Sequence, residues 1–227
     1  MRGDKLVIHK GHIKAAKSLL DLLFLKIIKT KSKFIITIAG ESGSGKSEIA
    51  AVLAELLTEK RNIKSLIIQQ DDYFLYPPKT NAKMRRKDIN HVGLSEVRLE
   101  LLDQNLSDIL KEKEEIEKPL VIFDEDYITK EIINLKGIKT IIVEGTYTTM
   151  LKNIHQHIFI DRIYVDTRDA RKQRAREEQD EFLEKILEIE HKIISSHKPM
   201  ADLIVMSEYG VAPVGKPTIN GQTFFKK

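Results

Sequence analysis

There is no cysteine among the 227 residues of this chain. That absence removes disulfides, thiolate metal sites and cysteine nucleophiles together, and makes a reducing cytoplasm the expected setting. Nor is there an apolar run long enough to cross a bilayer. The nearest candidate, Leu19 to Ile28, is interrupted by Asp21 and Lys26 and followed by no small-residue cleavage site, so neither a membrane span nor a secretory signal is expected. It reads instead as a helix over about 11–29 that packs its leucines on the sheet edge or on a partner subunit. An excess of one charge is lacking too: the net charge is only +4, with acids and bases interleaved along most of the chain. Such a small positive excess suits anionic phosphate substrates better than a nucleic-acid surface, and no aromatic-basic surface motif is present. Internal repeats and low-complexity segments are missing as well. What remains, 41% hydrophobic and 32% charged residues, is the composition of an ordinary globular domain.

What the chain does have is Gly40-Glu41-Ser42-Gly43-Ser44-Gly45-Lys46-Ser47, a complete G-x-x-x-x-G-K-S sequence. Before it, Phe34 to Ala39 is apolar, β-branched and of strand length. After it, Glu48 to Leu57 has the apolar spacing of an amphipathic helix. Between strand and helix, the three glycines let successive backbone N–H groups turn inward around phosphate oxygens, at the positive end of a helix. The loop from Gly40 to Ser47, with Glu48 behind it, is therefore expected to bind a nucleoside triphosphate. Lys46 would reach the β- and γ-phosphates and the Ser47 hydroxyl would ligate Mg²⁺.

Farther along, strands alternate with helices. Leu66 to Gln70 reads as a strand ending at Asp71-Asp72-Tyr73-Phe74, followed by a loop with Pro77-Pro78 and the basic cluster Arg85-Arg86-Lys87. A helix is expected over 94–113, with the charged run Lys111 to Lys118 as its solvated end, then a short strand over 120–123. Further strands are expected at 140–143, closed by Glu144-Gly145, at 162–165, closed by Asp166, and at 201–206. A long charged helix is expected over 169–196 and an irregular tail over 210–227. The apolar strands lack alternation, as they do where helices cover both faces of a sheet. The pattern predicts an α/β fold with a doubly wound, mostly parallel sheet.

In such a sheet ligands bind outside the carboxyl ends of the strands. Asp71 and Glu144 punctuate those ends on the edge that carries the phosphate loop, where Mg²⁺ would stabilise ionised carboxylates. Asp166 reads as a cap for the helix that follows. Together these groups can carry phosphoryl transfer, which needs positioning and charge neutralisation more than covalent chemistry. Asp71 would orient and deprotonate an acceptor hydroxyl, Glu144 would hold the metal or its water, and Lys46 would screen the moving phosphoryl group. Arg168, Arg171, Arg174 and Arg176 fall within nine residues, and Arg171 and Arg174 are neighbours on one helix side. They either grip phosphate bidentately or form a solvated face paired with Glu177, Glu178 and Asp180. His9, His12, His155, His157, His191 and His197 show no metal-ligand spacing and read as surface or packing residues.

The ordered blocks Gly40 to Ser47, Gln70-Asp71-Asp72-Tyr73-Phe74, Ile142-Val143-Glu144-Gly145, and Tyr164-Val165-Asp166-Thr167 with the arginines after it resemble the uridine kinase/phosphoribulokinase family of P-loop kinases. The likeness covers roughly Phe34 to Met206, including Lys198-Pro199-Met200-Ala201-Asp202-Leu203-Ile204. It implies a P-loop NTPase fold with ATP as donor, Asp71 as base, Glu144 as metal support and Arg168 on the nucleotide. It also implies a helical lid, about 168–196, whose closure over ATP would exclude water. The chain then divides into an N-terminal helical extension (1–32), a kinase domain (33–208) and a tail (209–227).

For the acceptor, the family's Asn-aromatic-Asp-His-Pro matches Asp88-Ile89-Asn90-His91-Val92, with Asn90 where the ribose-gripping acid belongs. The uridine-contacting Tyr-Asp-Phe matches Phe123-Asp124-Glu125-Asp126-Tyr127, without its nearby histidine. The resemblance thus implies an altered acceptor site drawn from Asp71, Tyr73, Asn90, His91, Phe123 and Tyr127. Asp124, Glu125 and Asp126 either face solvent or receive a cationic or polyhydroxylated acceptor. Arg85 and Arg86 either meet an acceptor phosphate or form an exposed basic turn.

The expected activity is ATP-dependent phosphorylation of a hydroxyl on a nucleoside- or sugar-like acceptor, with no nucleic-acid or membrane partner. A nucleotide-dependent regulator or ATPase is the alternative, but no residue set resembles a water-positioning switch. A scaffold without turnover fits poorly with intact Lys46, Ser47, Asp71 and Glu144. The N-terminal helix could also build a homo-oligomer.

Overall fold

Every residue of the strand Phe34–Gly40 (β1) is buried, and the molecule is layered around it. The computed structural model describes residues 1, 6–174 and 180–214, apart from the side chains of Ala170, Gln173 and Arg174. Ahead of β1 comes α1 (Lys10–Lys29), and behind it α2 (Lys46–Arg61), β2 (Ser65–Gln69), α3 (Pro78–Lys87) and α4 (Leu99–Leu110). Then follow β3 (Glu115–Ile122), β4 (Tyr127–Asn134), β5 (Thr140–Glu144), β6 (Gln156–Ile160), α5 (Arg168–Arg174), α6 (Glu181–Ser195), β7 (Leu203–Val205) and β8 (Val211–Pro213).

Side chains alternate across β1, so one strand feeds two cores. Phe34, Ile36 and Ile38 join Leu19, Leu23 and Ile27 of α1 and Ile49, Leu53 and Leu57 of α2. Ile35 and Ala39 face the other way, toward Leu102, Leu106 and Ile109 of α4 and Ile194 of α6. The sheet runs β2-β5-β1-β6-β7-β8, parallel except for the antiparallel β7–β8 pair. This is the doubly wound, mostly parallel arrangement that the alternating pattern predicts. Its register sets Ile38 of β1 and Gln69 of β2 on either side of Glu144, so three strand ends open on one edge. Outside this sheet, β3 and β4 make a separate antiparallel ribbon. α1 leaves Leu22, Leu25 and Ile28 exposed, and no described helix is long and apolar enough to cross a membrane.

Several elements differ from expectation. The strand expected at 162–165 lies earlier, at Gln156–Ile160. Val165 is 61% exposed, and the Ile163 carbonyl accepts the Asp166 and Thr167 N–H groups, so this stretch turns rather than pairs. The polar start of β6 disguises it, because His157 hides its ring against Thr37. The charged run Lys111 to Lys118 is no helix end: α4 stops at Leu110 and the run passes into β3, where Lys118 is buried. The loop expected after Pro77-Pro78 contains α3, with Pro78 at the helix start where its missing N–H is harmless. The long late helix is two helices, α5 and α6, the second capped by the Asp180 side chain accepting from Leu183 N–H. The tail contributes β8, and 215–227 lie outside the described residues.

Candidate active site

The phosphate loop leaves β1 at Gly40 and enters α2 at Lys46, the strand-loop-helix setting that its glycines suggest. Gly43 and Gly45 are both left-handed, with φ of 75° and 101°. Their missing side chains also make room: a Cβ on Gly43 would lie 2.9 Å from Arg171 Cγ, and one on Gly45 would lie 2.7 Å from His12 Nε2. The first spot belongs to α5 and the second to α1, so both elements close on the loop. Ser44 Oγ is buried with no hydrogen-bond partner among the described residues. A hydroxyl orphaned inside an anion-binding loop fits a phosphate oxygen as its missing partner. Lys46 Nζ donates to the Glu41 carbonyl at 2.8 Å.

At the end of β5, Glu144 Oε1 accepts from Ser47 Oγ at 3.0 Å and from Gln69 Nε2 at 3.1 Å. Burial pushes its carboxyl above the ordinary range and the nearby Asp71 charge adds to this, while Lys46, Gln69 and Ser47 oppose them. A buried acid held beside a second acid is a place where a divalent cation would favour ionisation. Ser47 and Glu144 could hold Mg²⁺, an ion usually bound by one or two carboxylates with substrate phosphates and water. Asp71 follows β2 in a short helical turn, half-buried, on the same edge.

Glu41 and Glu48 belong to the loop region, but their side chains turn away from it. Glu41 accepts from Tyr164 N–H and meets His191 Nδ1 of α6 at 2.7 Å. Glu48 faces the N-terminal segment, where Val7 N approaches its Oε1 to 3.5 Å. Thr167 ties the root of α5 to the loop by donating from Oγ1 to the Ser42 carbonyl at 2.9 Å. Arg171 is buried over the loop and donates to Thr167 Oγ1 at 2.8 Å and to the Tyr164 carbonyl. Arg168 is 60% exposed, 3.8 Å from Glu184. The Arg174 side chain and all of Arg176, Glu177 and Glu178 lie outside the described residues.

Asp71 opens into a cavity of about 440 Å³ that Ser42 of the phosphate loop also lines. Phe74, Tyr76, Phe123 and Phe182 form apolar walls, and Asn81, Arg85 and Glu190 bring polar groups. The Met1 amino group also reaches this region, 2.8 Å from Asp72 Oδ1. Of the six acceptor residues expected from sequence, Asp71 and Phe123 line the cavity and four do not. Tyr73 is fully buried, its hydroxyl 2.9 Å from Asn105 Oδ1. Asn90 is exposed and bonded to Asp88. His91 sits behind Asn81, with Nε2 and Oδ1 3.1 Å apart. Tyr127 is 58% exposed on β4. Asp126 binds the Lys79 N–H, the Thr80 N–H and the Thr80 hydroxyl at the start of α3. Burial works to raise its carboxyl, but those hydrogen bonds win and hold it below the ordinary range.

Both arginines of the basic cluster are paired with acids from other parts of the chain. Arg85 is buried, with Nε 2.7 Å from Glu96 and an Nη 2.9 Å from Glu190. Arg86 pairs with Asp180 and lies over the Phe182 ring, 4.8 Å from its centroid. Sequence reading missed Asn81 and Glu190, although Asn81 and Arg85 stand one helical turn apart in a segment that begins with a helix-starting proline.

The profile of the Phosphoribulokinase / Uridine kinase family matches residues 35–180. A protein of Ureaplasma parvum serovar 3 named uridine kinase is 33% identical over 141 residues, 62% of this chain and 65% of that protein. The chain therefore spans just under two thirds of that relative's length. In three dimensions it is similar to D-glycerate 3-kinase from Cryptococcus neoformans var. grubii, with a TM-score of 0.60 and 11% identity over 88% of this chain and 99% of that one. Phosphoribulokinase from Rhodobacter spheroides gives a TM-score of 0.59 and 13% identity over 78% and 71% of the two chains. Identities this low carry the fold alone, and that fold is the P-loop kinase one. With the family match running from β1 to the cap of α6, through the phosphate loop, Asp71, Glu144 and Arg171, this chain belongs to the Phosphoribulokinase / Uridine kinase family.

Proposed function

We propose that this chain is an ATP-dependent kinase that transfers the γ-phosphoryl group to a hydroxyl of an uncharged, ring-bearing acceptor of nucleoside or sugar type. The observation that carries this reading is that Asp71 and the phosphate loop open into one cavity of about 440 Å³, a size suited to a small-molecule ligand. Asp71 would take the proton as the acceptor oxygen bonds to phosphorus and the bond to ADP breaks. Lys46 would exchange the Glu41 carbonyl for phosphate oxygens, and Arg171 would add positive charge over the loop. Ser47 and Glu144 would hold Mg²⁺, which supplies positive charge to the phosphates when bound.

The acceptor class follows from the walls. Aromatic rings suit a flat or ring-shaped body. Arg85 and Arg86 already face carboxylates, which disfavours an acceptor that brings its own phosphate.

The test is ADP release from Mg²⁺-ATP with uridine, cytidine, ribulose 5-phosphate, glycerate, pantothenate and simple sugars. Acceptor-dependent release with uridine, cytidine or a simple sugar is expected. Release that ignores every acceptor would instead indicate an ATPase. Lys46→Ala should weaken ATP binding and remove turnover. Asp71→Asn should bind ATP normally and transfer at least ~100-fold more slowly; a normal rate would remove Asp71 from the role of base.

A further inference from the structure

The acid expected to grip the acceptor's hydroxyls is absent from its sequence position, because Asn90 stands there and points to Asp88 in solvent. The cavity nevertheless contains a carboxylate, supplied by another element. Glu190 comes from α6 and its side chain is 11% exposed. Its partner Arg85 comes from α3, so the pair bridges two walls of the cavity that Asp71 also lines.

The pair is built rather than incidental. Glu96 is fully buried and takes Arg85 Nε at 2.7 Å, the Gly93 N–H at 2.6 Å and the Asn81 amide. This anchors the guanidinium so that one Nη meets Glu190 Oε1 at 2.9 Å. A carboxylate can accept several hydrogen bonds, whereas a guanidinium only donates. Side by side they complement two adjacent hydroxyls, each of which donates one bond and accepts another. A lone carboxylate would favour a cation and a lone arginine an anion. Arg85, shared between Glu190 and Glu96 and fixed in advance, instead sets donor and acceptor side by side, which suits hydroxyls that both donate and accept.

Resting on the reading that the acceptor occupies this cavity, we propose that Arg85 and Glu190 form a subsite for a vicinal diol of the acceptor. Asn81, bonded to Glu96 and lining the same cavity, supports its orientation. The Asn90 and His91 segment does not serve this role.

The test is calorimetric binding of matched pairs: uridine against 2′-deoxyuridine, and cytidine against 2′-deoxycytidine. The unmodified protein should bind the diol member at least about 10-fold more tightly, as expected for hydrogen bonds to charged groups. Glu190→Gln, which leaves the Arg85–Glu96 pair intact, should reduce that preference to near unity while sparing ATP affinity. Glu190→Asp keeps the charge but withdraws it, and should give an intermediate preference. A melting curve for each variant separates this effect from misfolding. Equal binding within both pairs, no binding of any of the four, or a preference that survives Glu190→Gln would overturn the subsite. Asp71→Asn should keep the full preference although transfer is lost. Diol-selective binding without any phosphorylation would therefore sink the kinase reading and leave the subsite standing.

Discussion

Lys118 shows how much one side chain can hold together. Its ammonium lies 2.6 Å from Asp72 Oδ2 and 2.8 Å from Glu131, with both Lys118 and Asp72 only 3% exposed. Asp72 Oδ1 also accepts the Val121 N–H at 2.9 Å. The β3–β4 ribbon is thus pinned to the residue next to the proposed base, and Phe123 reaches the cavity from the end of that ribbon. Removing one member of a buried ion pair strands its partner. Lys118→Met should therefore destabilise the protein by about 3–5 kcal/mol in urea unfolding. Adding Asp72→Asn should recover only part of the loss, because Asp72 also holds the Met1 amino group, and strictly additive losses would show that Lys118 and Asp72 are not coupled. Sequence could not reveal this residue, because Lys118 sits in a charged run and its partners lie far away in the chain. Asp71 and Glu144 were legible for the opposite reason: each ends an apolar strand, and the sheet rule says what happens there. Arg85 reads either as a phosphate contact or as an exposed basic turn, and Glu190 is one acid in a long charged helix, because their pairing depends on how α3 meets α6.

At the scale of elements, α1 is the addition that matters most to the phosphate loop. It lies outside the family match, yet His12 is buried with its ring where a Gly45 side chain would be. His9 stacks on His12 at 3.7 Å, and Tyr209, beyond β7, meets both rings edge-on. The outer side of the loop is therefore packed by aromatic rings, which limits the backbone freedom that phosphate binding would otherwise have to freeze. His12→Ala should raise the ATP dissociation constant severalfold and leave the acceptor KM unchanged. Equal changes in both would make α1 a general stabiliser only. This helix was readable because its apolar spacing is regular and its ends are polar. Of the β3–β4 ribbon only the end of β3, expected as a strand over 120–123, was readable, since the charges before it mimic a helix surface and the buried face shows only when the two strands pair.

At the scale of the molecule, half-buried His157 and buried His197 make stability depend on pH. Burial lowers the proton affinity of His157, against the opposing charges of Asp202 and Asp103, and burial alone lowers that of His197. The unfolded chain takes up protons at these positions near pH 6.5, where the folded one resists them. Their contribution is therefore complete above about pH 6.5 and is lost as pH falls through the depressed folded values. His157 Nδ1 sits 2.8 Å from Thr37 Oγ1 on β1, so the strain of protonation falls on the central strand. His157→Asn, which keeps a polar partner for Thr37 without titrating, should flatten the decline in Tm between about pH 7 and pH 5. An unchanged decline would assign it to other groups.

The pairing of β1 has a consequence for how the protein is made. Phe34 pairs with Thr140 on one side and Gly40 with Ile160 on the other, so the strand that carries the phosphate loop is completed only by segments synthesised much later. Contacts so distant in the chain close slowly, and they leave the loop without its frame while the nascent polypeptide is still short. Nucleotide can reward the finished sheet but cannot help to nucleate it.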